Sequence, residues 1–492
     1  MSTVRRVHLV VGLVALLALV LSGGLPGGIV ALGLVQGALA ALLALGLVLA
    51  YRTHRVVNLA HASMGLLSGV LTGMLVTRWH WSFWPAAVVG IALGAALGLL
   101  TERLVIARLA SAPRVVVLVA TIGVAQIFGA LQTALPLAFG GALPTYPVPG
   151  PSLDISPVHL GAAHLLTLAV VPVAIVALGW FLYRTRVGLG VLAVASDAER
   201  ARGLGVPASA LSALAWAVAG ALAAVAGILT IPVLGYSLDG VPSATVLLLA
   251  LAPAAVAGMR SLPVAALSAL ALGIAYQASL WFTDRASAAD LMLGLVVLAA
   301  LGTHRQLKGR TAAAMLASSW DVVARVRTTF AARPTPRTTA TRVVGWLALS
   351  VAAVVVPNVL GASNALLFGT AAAFALAAAG VAVAWSLGGE LSLGHWGLVA
   401  VGAAISAHVA TWTTPLLGLV AAVVASTVAA VILGLAGRGR DSLGFAVAGL
   451  AAGVATPALL AQPGLRPPSL PADLGPGLST SHGAAAIASL LA

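Results

Sequence analysis

Residues 29–50 read Ile29-Val30-Ala31-Leu32-Gly33-Leu34-Val35-Gln36-Gly37-Ala38-Leu39-Ala40-Ala41-Leu42-Leu43-Ala44-Leu45-Gly46-Leu47-Val48-Leu49-Ala50, an apolar run without a charge, closed by Tyr51 and Arg52. A helix needs about 20 apolar residues to cross the hydrocarbon core of a bilayer, and this run has that length. Working outward, comparable runs lie near 7–22, 58–77, 82–101, 115–137, 160–182, 211–234, 243–259, 262–282, 287–302, 343–361, 365–387, 391–412, 415–436 and 442–461. The pattern predicts an all-α polytopic membrane protein with about 15 transmembrane helices. Several runs abut at Pro or Gly, where broken or re-entrant segments are the alternative.

Composition agrees. Of 492 residues, 61% are hydrophobic and 7% charged, with a mean hydropathy of +1.11. Globular proteins carry about 25% charged residues, so the chain has too little polar surface to coat a water-soluble body. No cysteine is present, which excludes disulfides and thiolate metal sites. The 25 basic residues outnumber 11 acidic ones, and all but Lys308 are Arg.

Residues 1–24 begin with Arg5 and Arg6 ahead of an apolar stretch. The small-residue cleavage pattern of a signal peptide is poor at Leu21-Ser22-Gly23-Gly24, so the stretch reads as a retained first helix with a cytoplasmic N-terminus. Alternating the spans from there puts every basic residue except Arg78, Arg285 and Arg466 on the cytoplasmic side. That asymmetry is what orients membrane proteins. It explains the net charge of +14 by topology, and nucleic-acid binding, which calls for a concentrated basic patch, is not expected.

A repeat is visible at an offset of 334 positions. Gly46 to Tyr51, followed by Asn58-Leu59-Ala60-His61, matches Gly380 to Trp385, followed by Ser392-Leu393-Gly394-His395. In each copy a helix ends in an aromatic residue, and a His arrives ten positions later among small residues. Both His fall at the cytoplasmic end of a span, so the copies share an orientation, as in parallel-repeat transporters. Two homologous halves follow: 1–302, then a basic cytoplasmic linker 303–342, a partial second half 343–461, and a Pro/Gly-rich extracytoplasmic tail 462–492. His61 and His395 are candidates either for contact with a solute or for pinning the turns before their helices.

The most polar interruption within the first half runs from Arg184 to Pro207. Asp197 and Glu199 stand before Arg200 and Arg202, an order that suits a helix dipole with an N-cap near Ser196, and Gly203, Gly205 and Pro207 stop it. A short polar helix at this place is a surface turn or a docking element for a soluble partner.

Glu199-Arg200-Ala201 with Gly205 resembles the E-A-A-x-x-x-G loop of ABC importer permeases, and the chain more narrowly resembles the branched-chain amino-acid permease family. The matching stations in residues 29–305 are Asn58-Leu59-Ala60-His61, Glu102-Arg103 with Arg108, Ala120-Thr121-Ile122-Gly123, the loop from Arg184 to Gly205, and Ala224 to Gly227. Gly258-Met259-Arg260-Ser261-Leu262-Pro263 is similar to the family's G-G-x-G-S-x-P turn, with Met and Arg in place of small residues. Residues 343–461 resemble the start of the second permease subunit through Gly389-Glu390-Leu391-Ser392-Leu393-Gly394-His395. Glu390 replaces the family's Gln there, and Trp396 a small residue. The second subunit's own E-A-A loop is not reached, so either the chain is truncated or another permease chain supplies it.

The resemblance implies a multi-pass permease of the bacterial cell membrane carrying leucine, isoleucine, valine or related amino acids and amides. It implies a non-enzymatic chain without a cofactor, ATP and magnesium belonging to two separate ATPase subunits, and an extracytoplasmic substrate-binding protein. Consistently, the sole Lys308 follows Gln306-Leu307, which rules out the G-x-x-x-x-G-K-[ST] phosphate loop. The coupling loop would be Asp197, Glu199, Arg200, Ala201 and Gly205. The substrate path would include Asn58, His61, Thr121, Gln126, Ser392 and His395. No metal site is expected. The alternative is a secondary transporter or channel for a small polar solute. Against it, Glu102, Asp239, Asp290 and Glu390 all lie near span ends rather than at membrane depth.

Overall fold

The computed structural model of the chain describes residues 24–110, 112, 114–140, 145–235, 244–303, 373–384, 393–437 and 442–468, with isolated positions 344, 351, 355 and 371. The span expected at 7–22, all but isolated positions of that at 343–361, the linker beyond Thr303, Glu390 and Ser392 lie outside the described residues. The chain divides into two compact units, Met1–Thr303 and His304–Ala492.

The first unit contains α1 (Gly27–His54), α2 (His61–Thr77), α3 (Phe83–Thr101) with a π-helical turn (Glu102–Ile106), α4 (Arg114–Ala138), the hairpin β1 (Leu153–Ile155) and β2 (Val158–Leu160), α5 (Ala162–Arg184), α6 (Arg186–Ser196), α7 (Ala198–Gly203), α8 (Ala208–Leu234), α9 (Ala244–Val256), α10 (Leu262–Thr283) and α11 (Ala286–Thr303). The second contains α12 (Ala373–Ala384), α13 (His395–Trp412), α14 (Pro415–Gly437) and α15 (Ser442–Leu460). Among the described residues, seven helices are long and apolar enough to cross a membrane, and six apolar helices are shorter. The chain is an all-α polytopic membrane protein, and wherever an expected span falls among the described residues a helix is found there.

α1 is apolar all round and buried along nearly its whole length, the signature of a central helix. Its neighbours approach through small residues. A Cβ on Gly33 would stand 2.5 Å from Ile274 Cα of α10, and one on Gly69 of α2 would stand 2.6 Å from the Gly227 carbonyl of α8. Lipid supplies no hydrophobic drive between helices, so close backbone approach with its dispersion contacts does the work of a soluble core. In the second unit, α14 exposes Val420, Val423, Val424 and Val431, a face suited to lipid.

The two ends of the first unit's helices differ in character. At one end, Trp79 meets Phe139 edge-on at 5.6 Å, Phe83 lies beside Tyr146, and the β-hairpin covers Leu25 and Ile29. Trp81, Trp84 and Trp281 are exposed there, as in an interfacial aromatic belt. At the other end, the terminus of α1, the π-helical turn and α6 to α7 gather: Arg55 donates to the Ala195 carbonyl at 3.3 Å, and His54 lies 3.3 Å from Glu102.

Proline breaks are repaired locally. Pro232 inside α8 offers no N–H to the Ile228 carbonyl one turn earlier. The Tyr146 hydroxyl donates to that carbonyl at 2.5 Å, and burial raises its pKa well above the ordinary tyrosine range.

Candidate functional site

Two places carry the polar chemistry of the first unit. The first is the break between α1 and α2. Arg55 ends α1 in the left-handed region at φ 57°, and the chain crosses Val56 to Ala60 before α2 begins at His61. In hydrocarbon, backbone groups outside a helix need partners within the protein. Asn58 Oδ1 accepts the Ala60 N–H at 3.1 Å. Thr121 Oγ1, reaching over from α4, accepts the Leu59 N–H at 3.3 Å and donates to the Leu118 carbonyl at 2.7 Å. Asn58, His61 and Thr121 are all buried, so the fold brings these three together.

His61 does not cap α2, because the N-cap position is Ala60 and no side chain bonds there. Its ring turns back onto α1. A Cβ on Gly46 would stand 2.5 Å from Nε2 and 2.6 Å from Cε1. Neither ring nitrogen has a hydrogen-bond partner; the Leu43 carbonyl approaches outside hydrogen-bond geometry. The second unit repeats the contact with His395, the first residue of α13, against Gly380, where a Cβ would lie 3.5 Å from Cδ2 and 3.6 Å from Nε2. The two pairs are related by the same 334-position offset. The register seen in rare letters is thus kept in three dimensions inside each unit.

Gln126 lies apart from this group, on the exposed face of α4. Sequence reasoning missed Gln132, which is buried and donates from Nε2 to the Ser63 carbonyl at 2.9 Å. The signal was available: Thr121, Ala125, Phe128 and Gln132 step by four, three and four along one helical stripe, whereas Gln126 stands about 100° off Ala125.

The second place is the α6–α7–α8 corner. Thr185 caps α6 by accepting the Gly188 N–H at 2.9 Å. Asp197 caps α7 by accepting the Arg200 N–H at 3.0 Å, while Ser196 donates back to the Ala193 carbonyl. The N-cap is therefore Asp197, one residue on from where the sequence pointed, because Ser196 closes the preceding helix. Ala201 faces inward and packs with Val194 and Ala208. Glu199, Arg200, Arg202 and Leu204 face outward, Leu204 at 78% exposure. Gly205 turns the chain at φ 80°, a left-handed conformation that glycine takes without a Cβ penalty. All five residues of the expected coupling loop thus sit on one capped projection, with Ala201 as its foot and Glu199 and Arg200 on its outer surface. Among the described residues no cluster of His, Cys, Asp or Glu is arranged to hold a metal.

A bundle of small-residue-packed apolar helices, with a buried polar break between α1 and α2 and a capped polar helix at its arginine-rich end, defines a multi-pass membrane protein. The family model described as "Branched-chain amino acid transport system / permease component" matches residues 29–301, and the chain belongs to that family. It is 26% identical over 213 residues to the high-affinity branched-chain amino acid transport system permease protein LivH of Escherichia coli K12, covering 40% of this chain and 68% of that protein. The LivH protein of Salmonella typhimurium is 25% identical over the same length. No solved structure matches the chain. The matched region coincides with the first unit, and the second lies beyond it.

Proposed function

We propose that the chain is the membrane permease of an ABC importer in a bacterial plasma membrane, moving leucine, isoleucine, valine or related small amino acids and amides inward. ATP and magnesium are bound by two separate ATPase subunits, and an extracytoplasmic binding protein delivers the solute. The carrying observation is α7: a capped, solvent-facing helix with an apolar tip at Leu204, in a family member whose sequence has no phosphate loop. Glu199, Arg200 and Arg202 beside Leu204 give α7 a mixed polar and apolar outer surface open to a soluble partner, and the arginine-rich end is the cytoplasmic one by the positive-inside rule.

The break at Asn58 to His61 is the proposed solute gate. Asn58 and Thr121 fix the turn, and His61 is the buried imidazole at its end, which would meet solute once α2 shifts from α1. His395 holds the corresponding place in the second unit, which on this reading is a fused copy of the α1 to α4 portion.

The test is reconstitution of the chain with its ATPase subunits and binding protein in vesicles, offering leucine, isoleucine, valine or urea. Uptake that requires ATP and all partners is expected. Uptake driven by a proton or sodium gradient without nucleotide overturns the reading.

A further inference from the structure

Near the α6–α7–α8 corner lies a half-buried polar cluster with no part in the site described above. His54, the last residue of α1, places Nε2 2.7 Å from Ser212 Oγ of α8 and 3.3 Å from Glu102 Oε1 at the start of the π-helical turn. The Glu102 side chain is 4% exposed. Trp216, one turn beyond Ser212, packs edge-on against the His54 ring at 6.1 Å and donates from Nε1 to Thr53 Oγ1 at 3.1 Å. Ser212 Oγ and Glu102 Oε1 thus both stand within hydrogen-bond reach of one His54 ring nitrogen.

The cluster reaches α7 through its neighbours. Ala201 of α7 packs on Ala208 of α8, and Ser212 stands one turn further along α8, on the same face. On the other side, Arg55, next to His54, donates to the Ala195 carbonyl just before the α7 cap. Three span ends, those of α1, α3 and α8, therefore converge on one imidazole nitrogen.

Elsewhere these helices meet through glycine and alanine. The Gly94 and Gly98 positions of α3 face Gly220 and Trp216 backbone in α8, and Gly46 of α1 approaches the Ala219 carbonyl. Such smooth interfaces resist separation but offer little hindrance to sliding. Leaving a buried polar group without its partner is costly, so the contacts of His54 with Glu102 and Ser212 tie the three ends together. The π-helical turn, closed by the Ala107 N–H on the Glu102 carbonyl at 2.7 Å, is a local widening of the kind often found at functional positions.

We infer that His54, Glu102 and Ser212 are positioning residues that fasten α1 and α3 to α8, so that a displacement of α7 by an ATPase subunit reaches the α1–α2 gate. This rests on the reading of α7 as the ATPase dock.

The experiment uses the full chain reconstituted with its ATPase subunits and binding protein, with leucine as solute, and reads ATP hydrolysed per leucine taken up alongside the melting temperature. Ser212→Ala and His54→Ala are expected to raise that ratio about five-fold, the scale of losing one net hydrogen bond. His54→Gln, which keeps an N–H at the Nε2 position, is expected to return it to within about two-fold of the parent. An unchanged ratio in Ser212→Ala and His54→Ala, with any fall in uptake following loss of folded protein, overturns the inference while leaving the transport reading intact. A parent complex in which ATP drives no leucine uptake overturns both.

Discussion

The imidazole of His61 rests on the backbone of Gly46, fifteen residues earlier on the neighbouring helix, with no room between them for a methyl group. The pair locks the start of α2 to α1 at the depth where the polar break occurs. Its counterpart, His395 on Gly380, leaves about one ångström more.

That difference decides the sign of a substitution. Replacing a mid-helix glycine by alanine gains about 0.5–1 kcal/mol of helix stability, while overpacking costs about 1–3 kcal/mol. Gly46→Ala is expected to destabilise the protein and slow uptake, and Gly380→Ala to be neutral or stabilising. Melting temperatures in detergent check this, and His61→Ala is expected to recover part of the Gly46→Ala loss.

Tyr146 and Pro232 form a compensating pair. Tyr146→Phe leaves the Ile228 carbonyl buried without a donor, an expected loss of about 1–3 kcal/mol. In a Pro232→Ala background the restored backbone N–H serves that carbonyl, and the same substitution is expected to cost much less. A double-mutant cycle on thermal unfolding measures the coupling; equal costs in both backgrounds would show that the hydroxyl does not replace the missing amide.

At the α7 projection, cap and charge separate. Asp197→Asn keeps an oxygen for the Arg200 N–H and is expected to retain ATPase coupling, whereas Asp197→Ala loses a cap worth about 1 kcal/mol and is expected to weaken it. Glu199→Lys is expected to abolish solute-stimulated ATP hydrolysis with the helices intact by circular dichroism. Retained stimulation in Glu199→Lys would remove this surface from the ATPase contact.

Along α4, the stripe separates two glutamines. Gln132→Leu removes the donor to the Ser63 carbonyl and Thr121→Val leaves the Leu59 N–H unpaired, each with an expected loss of about 1–3 kcal/mol. Thr121→Ser is expected to restore stability, and Gln126→Leu, on the exposed face, to be neutral. Unfolding midpoints for the four variants, read together, test the stripe.

Much of this was legible in the chain itself. The apolar runs located the helices because twenty-residue hydrophobicity is a property of composition and length. Arg200 and Arg202 after Asp197 and Glu199 marked α7 because caps and dipoles act within a single turn. The Gly46 and His61 letters kept register with Gly380 and His395, and the contact between them was hidden only because fifteen residues separate them. What failed was assignment by residue type alone: Gln126 stood out as a polar letter in an apolar helix, yet Gln132 is the buried one.

Sequence alone thus determined that this protein lives in a membrane, which segments form its apolar helices and where its polar loop projects, since each follows from local hydrophobicity and capping. The tertiary structure decided which polar groups meet. That His54 of α1, Glu102 after α3 and Ser212 of α8 share one nitrogen depends on how three helices cross, and crossings are set by the close approach of glycines and alanines that look alike anywhere in such a chain.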